Sequence, residues 1–309
     1  MRLRSLLGRA ARPGREWLFD NRRVDTLRLE VAALDAKLTF MQEALGRIEA
    51  RQNAAAGFRS LQESEFRVFS QWGEDGIIQA LVREVPLRER AFVEFGVEDY
   101  TEANTRFLLL NYGWRGLVIE ADADHVARIR QSREHWLYDL QVAHSFITRD
   151  NINGILRDAG MTGEIGLLSV DIDGNDYWVW DAIDVVQPTI VVAEYNYRFG
   201  PRATVTVPYA ADFSRFEAHP SWIYYGASLG ALCHLAERKG YDFVGCGRAG
   251  VNAFFVRKGH RPPSIPALSA EEGFVPGSFA EPNAMGQGPA RARADEEMER
   301  IWGRGLPLI

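Results

Sequence analysis

The sequence predicts an α/β domain built on a sheet of seven strands, the last of which runs antiparallel to its neighbours. Short β-rich runs alternate with helical runs between residues 91 and 258. Several of these runs, such as AFVEF, LLSV and TIVVAEY, are continuously apolar, which suits parallel strands covered by helices on both faces. Only the segment 247–250 (GRAG) separates the last two strands, so these should form a hairpin. The predicted order is five βα units followed by a closing hairpin.

The individual elements follow from the same alternation. Strands are predicted at residues 91–97, 116–120, 140–147, 165–171, 189–196, 241–246 and 251–257. Helices are predicted between the first six strands, at residues 101–111, 124–134, 152–159, 176–183 and 228–239.

A separate long helix precedes this domain. Its apolar residues recur at alternating intervals of three and four, the pattern of a coiled coil: Val24, Leu27, Val31, Leu34, Leu38, Met41, Leu45 and Ile48. We therefore predict a coiled-coil helix at residues 21–52 and self-association through it. In a parallel in-register dimer, Glu30 would face Asp35 of the other chain, and these like charges repel. A trimer, an antiparallel pair and packing against the chain's own domain all stay open.

The chain is predicted to divide into five parts. A basic segment at residues 1–20 precedes the coiled-coil helix at 21–52, and a linker at 53–63 leads to the α/β domain at 64–258. A tail rich in proline and glycine follows at 259–309. This tail is expected to be mostly poorly ordered, with a short charged helix at 294–301.

Composition and charge exclude several classes of protein. Hydrophobic residues make up 46% and charged residues 25% of the 309, which excludes a disordered or collagen-like chain. Two cysteines are too few for a secreted disulfide framework, and no apolar run approaches the roughly 18 residues of a membrane span. We therefore expect a cytoplasmic protein.

The net charge of −6 is unevenly distributed. Residues 1–60 hold 12 basic and 7 acidic side chains, whereas the remainder holds 24 and 35. The acidic remainder of the chain is a poor surface for nucleic acid, because binding nucleic acid relies on neutralising its phosphates. The basic end is a candidate for contact with the inner face of a membrane; a solvated terminus is the alternative.

Acidic residues end four of the five parallel strands. They are Glu94 and Glu98 at the first strand, Glu120 at the second, Asp171 and Asp173 at the fourth and Glu194 at the fifth. Ligands of such sheets bind beyond the carboxyl ends of the strands. Crowded carboxylates raise one another's pKa, and a cationic ligand or a metal ion would relieve that cost. The sequence therefore predicts one cleft for a positively charged ligand.

Three of these positions indicate the kind of ligand. Gly96 would let a cofactor approach the backbone closely, while the absence of G-x-G-x-x-G argues against a dinucleotide. A carboxylate at Glu120 can accept hydrogen bonds from a ribose diol. Glu94 lies inside an apolar strand, where an unpaired charge is costly, so we expect it to bind an ammonium group of the cofactor.

Five motifs carry a resemblance to a known family. The segments SQWGEDGII from Ser70, FVEFGVED from Phe92, GWRGLVIE from Gly113, DIDGND from Asp171 and GVNAFFVR from Gly250 resemble FkbM-like methyltransferases. The resemblance covers residues 64–258. It implies the Rossmann-like sheet of class I methyltransferases, with an antiparallel last strand, and S-adenosylmethionine (SAM) as cofactor. The implied activity is O-methyl transfer to a hydroxyl of a saccharide or related metabolite.

The resemblance also implies roles for particular residues. Cofactor contacts are expected at Gln71, Glu94, Gly96, Glu98, Glu120, Ala121, Phe146 and Asp171. Glu74 and Asp75, beside Gln71, are expected to fold over the cofactor or substrate, or simply to begin a helix. The base that accepts the hydroxyl proton is expected to be Asp173 or Asp171, followed by Glu194. The insert at residues 197–227 should cover the substrate.

A metal ion is a further expectation. The ends of the fourth and fifth strands are similar to those of cation-dependent O-methyltransferases, which implies Asp171, Glu194 and Asn196 as ligands of Mg²⁺. The alternative is that these residues cap a helix and bind the cofactor without metal.

Two other functions stay open at this point. Tyr100 occupies a position at which related loops carry a second glycine, so the chain could be a catalytically impaired scaffold that acts through its coiled coil. The other alternative is a nucleotide-sugar-binding transferase.

Overall fold

The computed structural model describes residues 12–219 and 221–277. One seven-stranded sheet organises the α/β domain, in the order β3-β2-β1-β4-β5-β7-β6. The strands are β1 Ala91–Phe95, β2 Arg115–Glu120, β3 Leu140–His144, β4 Gly163–Val170, β5 Val186–Glu194, β6 Tyr241–Cys246 and β7 Asn252–Arg257. The first five are parallel, and β7 is antiparallel to both β5 and β6. This is the class I methyltransferase fold, as predicted.

Helices connect the strands and cover both faces of the sheet. They are α1 Arg12–Ala56, α2 Leu61–Ser64, α3 Glu74–Glu84, α4 Arg106–Tyr112, α5 Ala123–Gln131, α6 Arg133–Leu137, α7 Ile152–Asp158, α8 Asp176–Ala182, α9 Arg215–Ala218, α10 Leu229–Lys239 and α11 Ala270–Gly273. The single helix predicted at 124–134 is two helices, because Ser132 ends α5 and its side chain caps α6 by accepting from the amide of His135.

The apolar runs are buried on both sides, as the sequence predicts. Every residue of β1 is buried, and so are the last six of β4. Phe92 and Val118 pack in the layer on one face, whereas Val93 and Leu168 pack in the layer on the other. The sheet is therefore the rigid centre that positions the strand ends.

Helix α1 contains the whole of the predicted coiled-coil segment. It extends past the predicted start of the linker to Ala56, because residues 54–56 are alanine, the strongest helix former. Residues 12–47 belong to a compact unit separate from the α/β domain. All eight residues of the apolar seam are exposed, with 42% to 63% of each residue accessible. Self-association through this seam stays a prediction.

The tail differs from expectation. The prediction of poor order is wrong for residues 259–277, because apolar side chains in this stretch pack onto the domain. Ile265 is fully buried, and Phe274 and Val275 pack against the core. The hydroxyl of Tyr195 donates to the carbonyl of Val275 at 2.5 Å. The helix predicted at 294–301 lies outside the described residues.

Within the described part of the chain, no helix combines the length and the apolar character needed to cross a membrane.

Candidate active site

Two adjoining cavities lie at the carboxyl ends of the parallel strands. The first, of about 380 Å³, lies beside β2 and is here called the β2-side cavity. The second, of about 420 Å³, lies beside β5 and is called the β5-side cavity. Their shared lining consists of Gly96, Glu98, Asp171, Asp173 and Arg215. The two cavities therefore adjoin each other, and together they are called the cleft here.

The cleft brings together all but one of the predicted site residues. Glu120, Ala121 and Phe146 line the β2-side cavity. Gln71, Glu94 and Glu194 line the β5-side cavity, and the shared lining contains the other four. Only Asn196 lies elsewhere.

Gly96 is required by a close contact between two strand ends. Its φ is +65°, a left-handed conformation that favours glycine. A Cβ atom at this position would lie 2.1 Å from the carbonyl oxygen of Asp171. The ends of β1 and β4 therefore touch at the shared lining of the two cavities.

Glu120 is anchored at the end of β2. Its Oε1 accepts hydrogen bonds from the amides of Ala121 and Asp122, both at 2.8 Å, and Oε2 accepts from the amide of Glu98 at 2.9 Å. These bonds fix the carboxylate, and a carboxylate has about four acceptor sites, so one remains for a hydroxyl group of a ligand. Glu98 itself has a left-handed φ of 48°, a strained conformation of the kind that concentrates at functional sites.

The wall of the β2-side cavity is largely apolar. Phe146 is 52% exposed, and Ile147, Ile172, Phe213 and Phe216 also line this cavity. A planar heterocycle would find apolar contact here, close to the carboxylate of Glu120.

Glu94 is bound by its own chain. Its Oε1 accepts from the amide of Asn104 at 2.8 Å, and Oε2 accepts from the amide and the hydroxyl of Thr105. Burial raises the pKa of Glu94 to about 7, although these hydrogen bonds act in the opposite direction. The helix predicted at residue 101 begins only at Arg106, since the preceding loop supplies these donors. A role for Glu94 in binding an ammonium group stays a prediction.

Tyr100 lies outside the residues that line the cleft. It has a left-handed φ of 66° and is only 3% exposed. Its ring packs in the apolar layer on one face of the sheet, and its hydroxyl lies 3.0 Å from that of Thr105. The bulk of the tyrosine is thus kept away from the space in which a cofactor would bind.

Three carboxylates at or next to the shared lining form an acidic group. Asp171, Asp176 and Glu194 place carboxylate oxygens within 4.8 Å of one another. Burial, followed by repulsion from neighbouring aspartates, raises the pKa of Asp171 and of Glu194 well above the usual range. Burial also raises the pKa of Asp176 to about 6. The group therefore favours a bound proton or cation.

The sequence did not identify Asp176 as a member of this group. Asp176 begins α8, and its carboxylate accepts from the amides of Ile172 at 2.8 Å and Gly174 at 2.9 Å. The signal in the sequence that could have identified Asp176 was its place as the last aspartate of the DIDGND motif.

Asn196, the third predicted metal ligand, hydrogen-bonds to the backbone of the insert, and its role as a ligand stays a prediction. Asn196 is 1% exposed. Its amide donates to the carbonyls of Ile223 and Tyr225, and its oxygen accepts from the amide of Arg198 at 3.2 Å. Asn196 therefore positions the insert. The residue found beside Asp171 and Glu194 is Asp176.

The insert contributes Arg215, which the sequence did not single out for the site, and Tyr225. Arg215, on α9, pairs with Asp173 and donates to the carbonyl of Trp222 at 3.0 Å. Its guanidinium lies 3.9 Å from the centre of the Tyr225 ring, and the Tyr225 hydroxyl donates to Glu194 at 3.4 Å. Arg215 thus places one positive charge between the two cavities, which partly opposes the rise that burial causes in the pKa of Glu194.

The segment before α3 folds over the β5-side cavity. Oδ2 of Asp75 accepts from the amides of Val68, Phe69 and Ser70 and from the Ser70 hydroxyl, at 2.7–2.8 Å. Glu74 accepts from the side chain of Asn252 at 2.9 Å. Both acids are buried anchors, and the neighbouring Gln71 and Trp72 line the cavity.

Comparisons with known proteins give a likeness of fold. The chain matches no protein-family profile and no protein of curated function. Among solved structures it is similar to a SAM-dependent methyltransferase from Clostridium acetobutylicum ATCC 824, with 9% identity and a TM-score of 0.37 over 60% of this chain and 91% of that one.

Two further structures are of the same kind. An O-methyltransferase family protein from Burkholderia thailandensis shares 12% identity, with a TM-score of 0.38 over 71% of each chain. The O-methyltransferase from Bacillus cereus, in complex with SAH, shares 15% identity, with a TM-score of 0.35 over 55% of this chain and 74% of that one. TM-scores this low carry no functional argument, and the fold class here rests on the strand order.

Proposed function

We propose that the protein is a SAM-dependent O-methyltransferase. One observation carries the proposal: the cavity lined by Glu120 and the apolar Phe146 wall adjoins the acidic β5-side cavity, and the two share the strand-end residues Gly96 and Asp171. Each part suits one part of SAM. Glu120 can accept from one ribose hydroxyl, the apolar wall can cover the adenine, and the carboxylates can attract the sulfonium.

The β5-side cavity would then hold the methyl acceptor. Six acidic residues line it, Glu94, Glu98, Glu102, Asp171, Asp173 and Glu194, against one basic residue, Arg215. Arg215 is already paired with Asp173. A phosphorylated acceptor would meet strong repulsion here, whereas a neutral hydroxylated one would not. The aromatic side chains of Trp72 and Tyr225 in the lining suit a saccharide.

Methyl transfer to a hydroxyl requires one proton acceptor from the protein. The acceptor oxygen attacks the methyl carbon in line with the sulfur; the new C–O bond forms as the C–S bond breaks, and the bonding electrons return to sulfur. The hydroxyl proton passes to a carboxylate within reach. We assign this role to Glu194, with Asp171 beside it, because Asp173 is held by Arg215. The products are a methyl ether and neutral S-adenosylhomocysteine (SAH).

The test is label transfer from SAM that carries a trideuterated methyl group to a saccharide extract, read by mass spectrometry. We expect the wild type to form labelled methyl ethers and Glu194→Gln to lose at least ~99% of the rate, a loss typical for a general base, while SAM affinity stays within threefold. Methyl transfer at the wild-type rate in Glu194→Gln would refute this assignment. SAM binding with no transfer to any saccharide would favour a scaffold.

A metal-assisted version is the second candidate, and the acidic group favours it because its carboxylate oxygens all lie within 4.8 Å of one another. Oxygens on opposite sides of a bound Mg²⁺ ion lie about 4.2 Å apart, and around Ca²⁺ about 5 Å apart. Asp171, Asp176 and Glu194 would therefore hold the ion. A bound ion would lower the pKa of the acceptor hydroxyl.

The metal is tested by calorimetric titration of the chelator-treated protein with MgCl₂. If the acidic group binds the ion, we expect one Mg²⁺ site in the wild type and none in Asp176→Asn. An absence of heat, together with an unchanged melting temperature in EDTA, would assign the acidic group to proton chemistry alone.

We also propose that the protein self-associates through α1. The exposed seam from Val24 to Ile48 is a continuous apolar stripe on one helix, and such a stripe is stabilised when a second copy covers it.

A further inference from the structure

Two buried oxygen atoms beside the β5-side cavity have no hydrogen-bond donor among the described residues. They are Oε2 of Glu194 and Oδ1 of Asn252. Glu194 is 9% exposed and Asn252 is 5% exposed, and both side chains line the cavity. A buried acceptor without a donor is costly, so each such atom calls for an explanation.

The two side chains are direct neighbours on adjacent strands. Glu194 is the last residue of β5, and it pairs with Asn252, the first residue of β7, in the antiparallel register. Residues paired in this way project their side chains to the same face of the sheet, with Cβ atoms roughly 5 Å apart. The two acceptor groups therefore lie close together, in the wall beside the cavity.

Glu74 fixes the orientation of the Asn252 amide. The carboxylate of Glu74 accepts from Nδ2 of Asn252 at 2.9 Å, and its other oxygen accepts from the amides of Trp72 and Gly73. An ionised carboxylate can only accept, so the amide nitrogen must face Glu74 and the amide oxygen must face away. Asn252 thus presents an acceptor, and not a donor, on the side away from Glu74.

We propose that Glu194 and Asn252 form a subsite for a vicinal diol of the methyl acceptor. One hydroxyl donates to Oε2 of Glu194 and is the one methylated; the adjacent hydroxyl donates to Oδ1 of Asn252. This rests on the proposed function and adds the substrate class: a neutral compound with two hydroxyls on neighbouring carbons. Asn252 is the residue that selects the diol, and Glu74 positions it.

The direct test is a crystal of the protein with SAH, soaked in propane-1,2-diol or, separately, in propan-1-ol. SAH in the cleft is read first, because its absence refutes the proposed function and not the subsite alone. With SAH bound, we expect the diol to lie with one oxygen within hydrogen-bond distance of Glu194 and the other within that distance of Asn252. Propan-1-ol should be absent or bound at less than a third of the occupancy. A cleft with SAH but without the diol, or with equal occupancy of both alcohols, overturns the proposal.

Single substitutions distinguish a loss of diol binding from a loss of the fold. Asn252→Ala should abolish diol occupancy, and Glu74→Gln, whose amide allows Asn252 to turn over, should reduce it at least threefold. Both should keep SAH affinity within threefold of wild type. Gln141→Ala, at the far edge strand β3, is the matched control and should keep full occupancy. Full diol occupancy in Asn252→Ala would contradict the assignment.

A second measurement uses the saccharide extract. Periodate cleaves vicinal diols, so extract treated with periodate and then reduced should accept at least tenfold less label than mock-treated extract. Undiminished labelling after periodate would show that the acceptor needs no vicinal diol, and the proposal would fail.

Discussion

Replacing Gly96 by alanine tests the contact that joins β1 to β4. The added Cβ would lie 2.1 Å from the carbonyl oxygen of Asp171, whereas ordinary contacts of this kind are more than 1 Å longer. Because the obstacle is backbone, the end of β4 must move. We expect ~1–2 kcal/mol from the left-handed conformation and a further ~1–3 kcal/mol from the forced displacement.

Gly113→Ala is the matched control. Gly113 has nearly the same φ, +62°, but its added Cβ would meet nothing within 4 Å. It should therefore show only the conformational cost, and the gain from a stiffer unfolded chain is common to both variants. The difference between the two isolates the contact with Asp171.

The assay is urea unfolding followed by circular dichroism, together with calorimetry of SAM binding. Gly96→Ala should be about 2 kcal/mol less stable than Gly113→Ala, which corresponds to roughly 4–8 °C in Tm. It should also bind SAM at least tenfold more weakly, because the displaced strand end carries the shared lining of both cavities. Equal stability of the two variants, or unchanged SAM affinity in Gly96→Ala, would refute the reasoning.

Three further predictions concern other parts of the chain. The pKa of Glu94 rises from 4.5 to about 7 on folding, so its contribution to stability is greatest below pH 4.5 and falls by about 3 kcal/mol up to pH 7; urea unfolding across this range should show a shallower fall in Glu94→Gln. Asp75→Ala leaves three amides and one hydroxyl without their acceptor, so it should cost at least ~3 kcal/mol and speed proteolysis near Trp72; an unchanged cleavage rate would contradict this. Leu34→Asp, within the seam, should reduce the molar mass measured by light scattering, whereas Leu29→Asp, exposed outside the seam, should not; an identical mass for both would exclude the seam as the interface.

The sheet could be predicted from the sequence because its signals are local. Continuous apolar runs mark parallel strands, and the GRAG turn marks a hairpin. The ends of elements depend on contacts that the sequence does not display. β3 stops at His144 and not at residue 147, because its pairing partner β2 ends at Glu120; the last bond of this pairing runs from the amide of Ser145 to the carbonyl of Glu120. Poor order was wrongly predicted for residues 259–277, because the Pro and Gly content of the tail conceals the few apolar residues of this stretch that pack onto the core.

The acidic half of the site could be predicted for a topological reason. Parallel strands bring their carboxyl ends to one edge, so Glu120, Asp171 and Glu194 had to converge wherever the strand order allowed. Arg215 reaches this edge through a long insert, and Asn252 reaches it from an antiparallel strand. Their positions depend on tertiary contacts between distant segments, which no spacing in the sequence reveals.

Asn196 shows how hydrogen-bond partners bear on such a prediction. An asparagine directly after a strand end has the chemistry of a metal ligand, but its amide is consumed by the backbone of the insert. Residue type at a strand end therefore indicates proximity to the site, and hydrogen-bond partners decide whether the side chain is available.

The measurement that tests the central claim most directly is calorimetric titration of the purified protein with SAM. The account predicts one site per chain and at least tenfold weaker binding in Glu120→Ala, which removes the carboxylate expected to accept from the ribose. His135→Ala, a substitution remote from the lining of the cleft, should bind as the wild type does. An absence of binding by the wild type, or equal affinity in Glu120→Ala, would contradict the placement of SAM in this cleft.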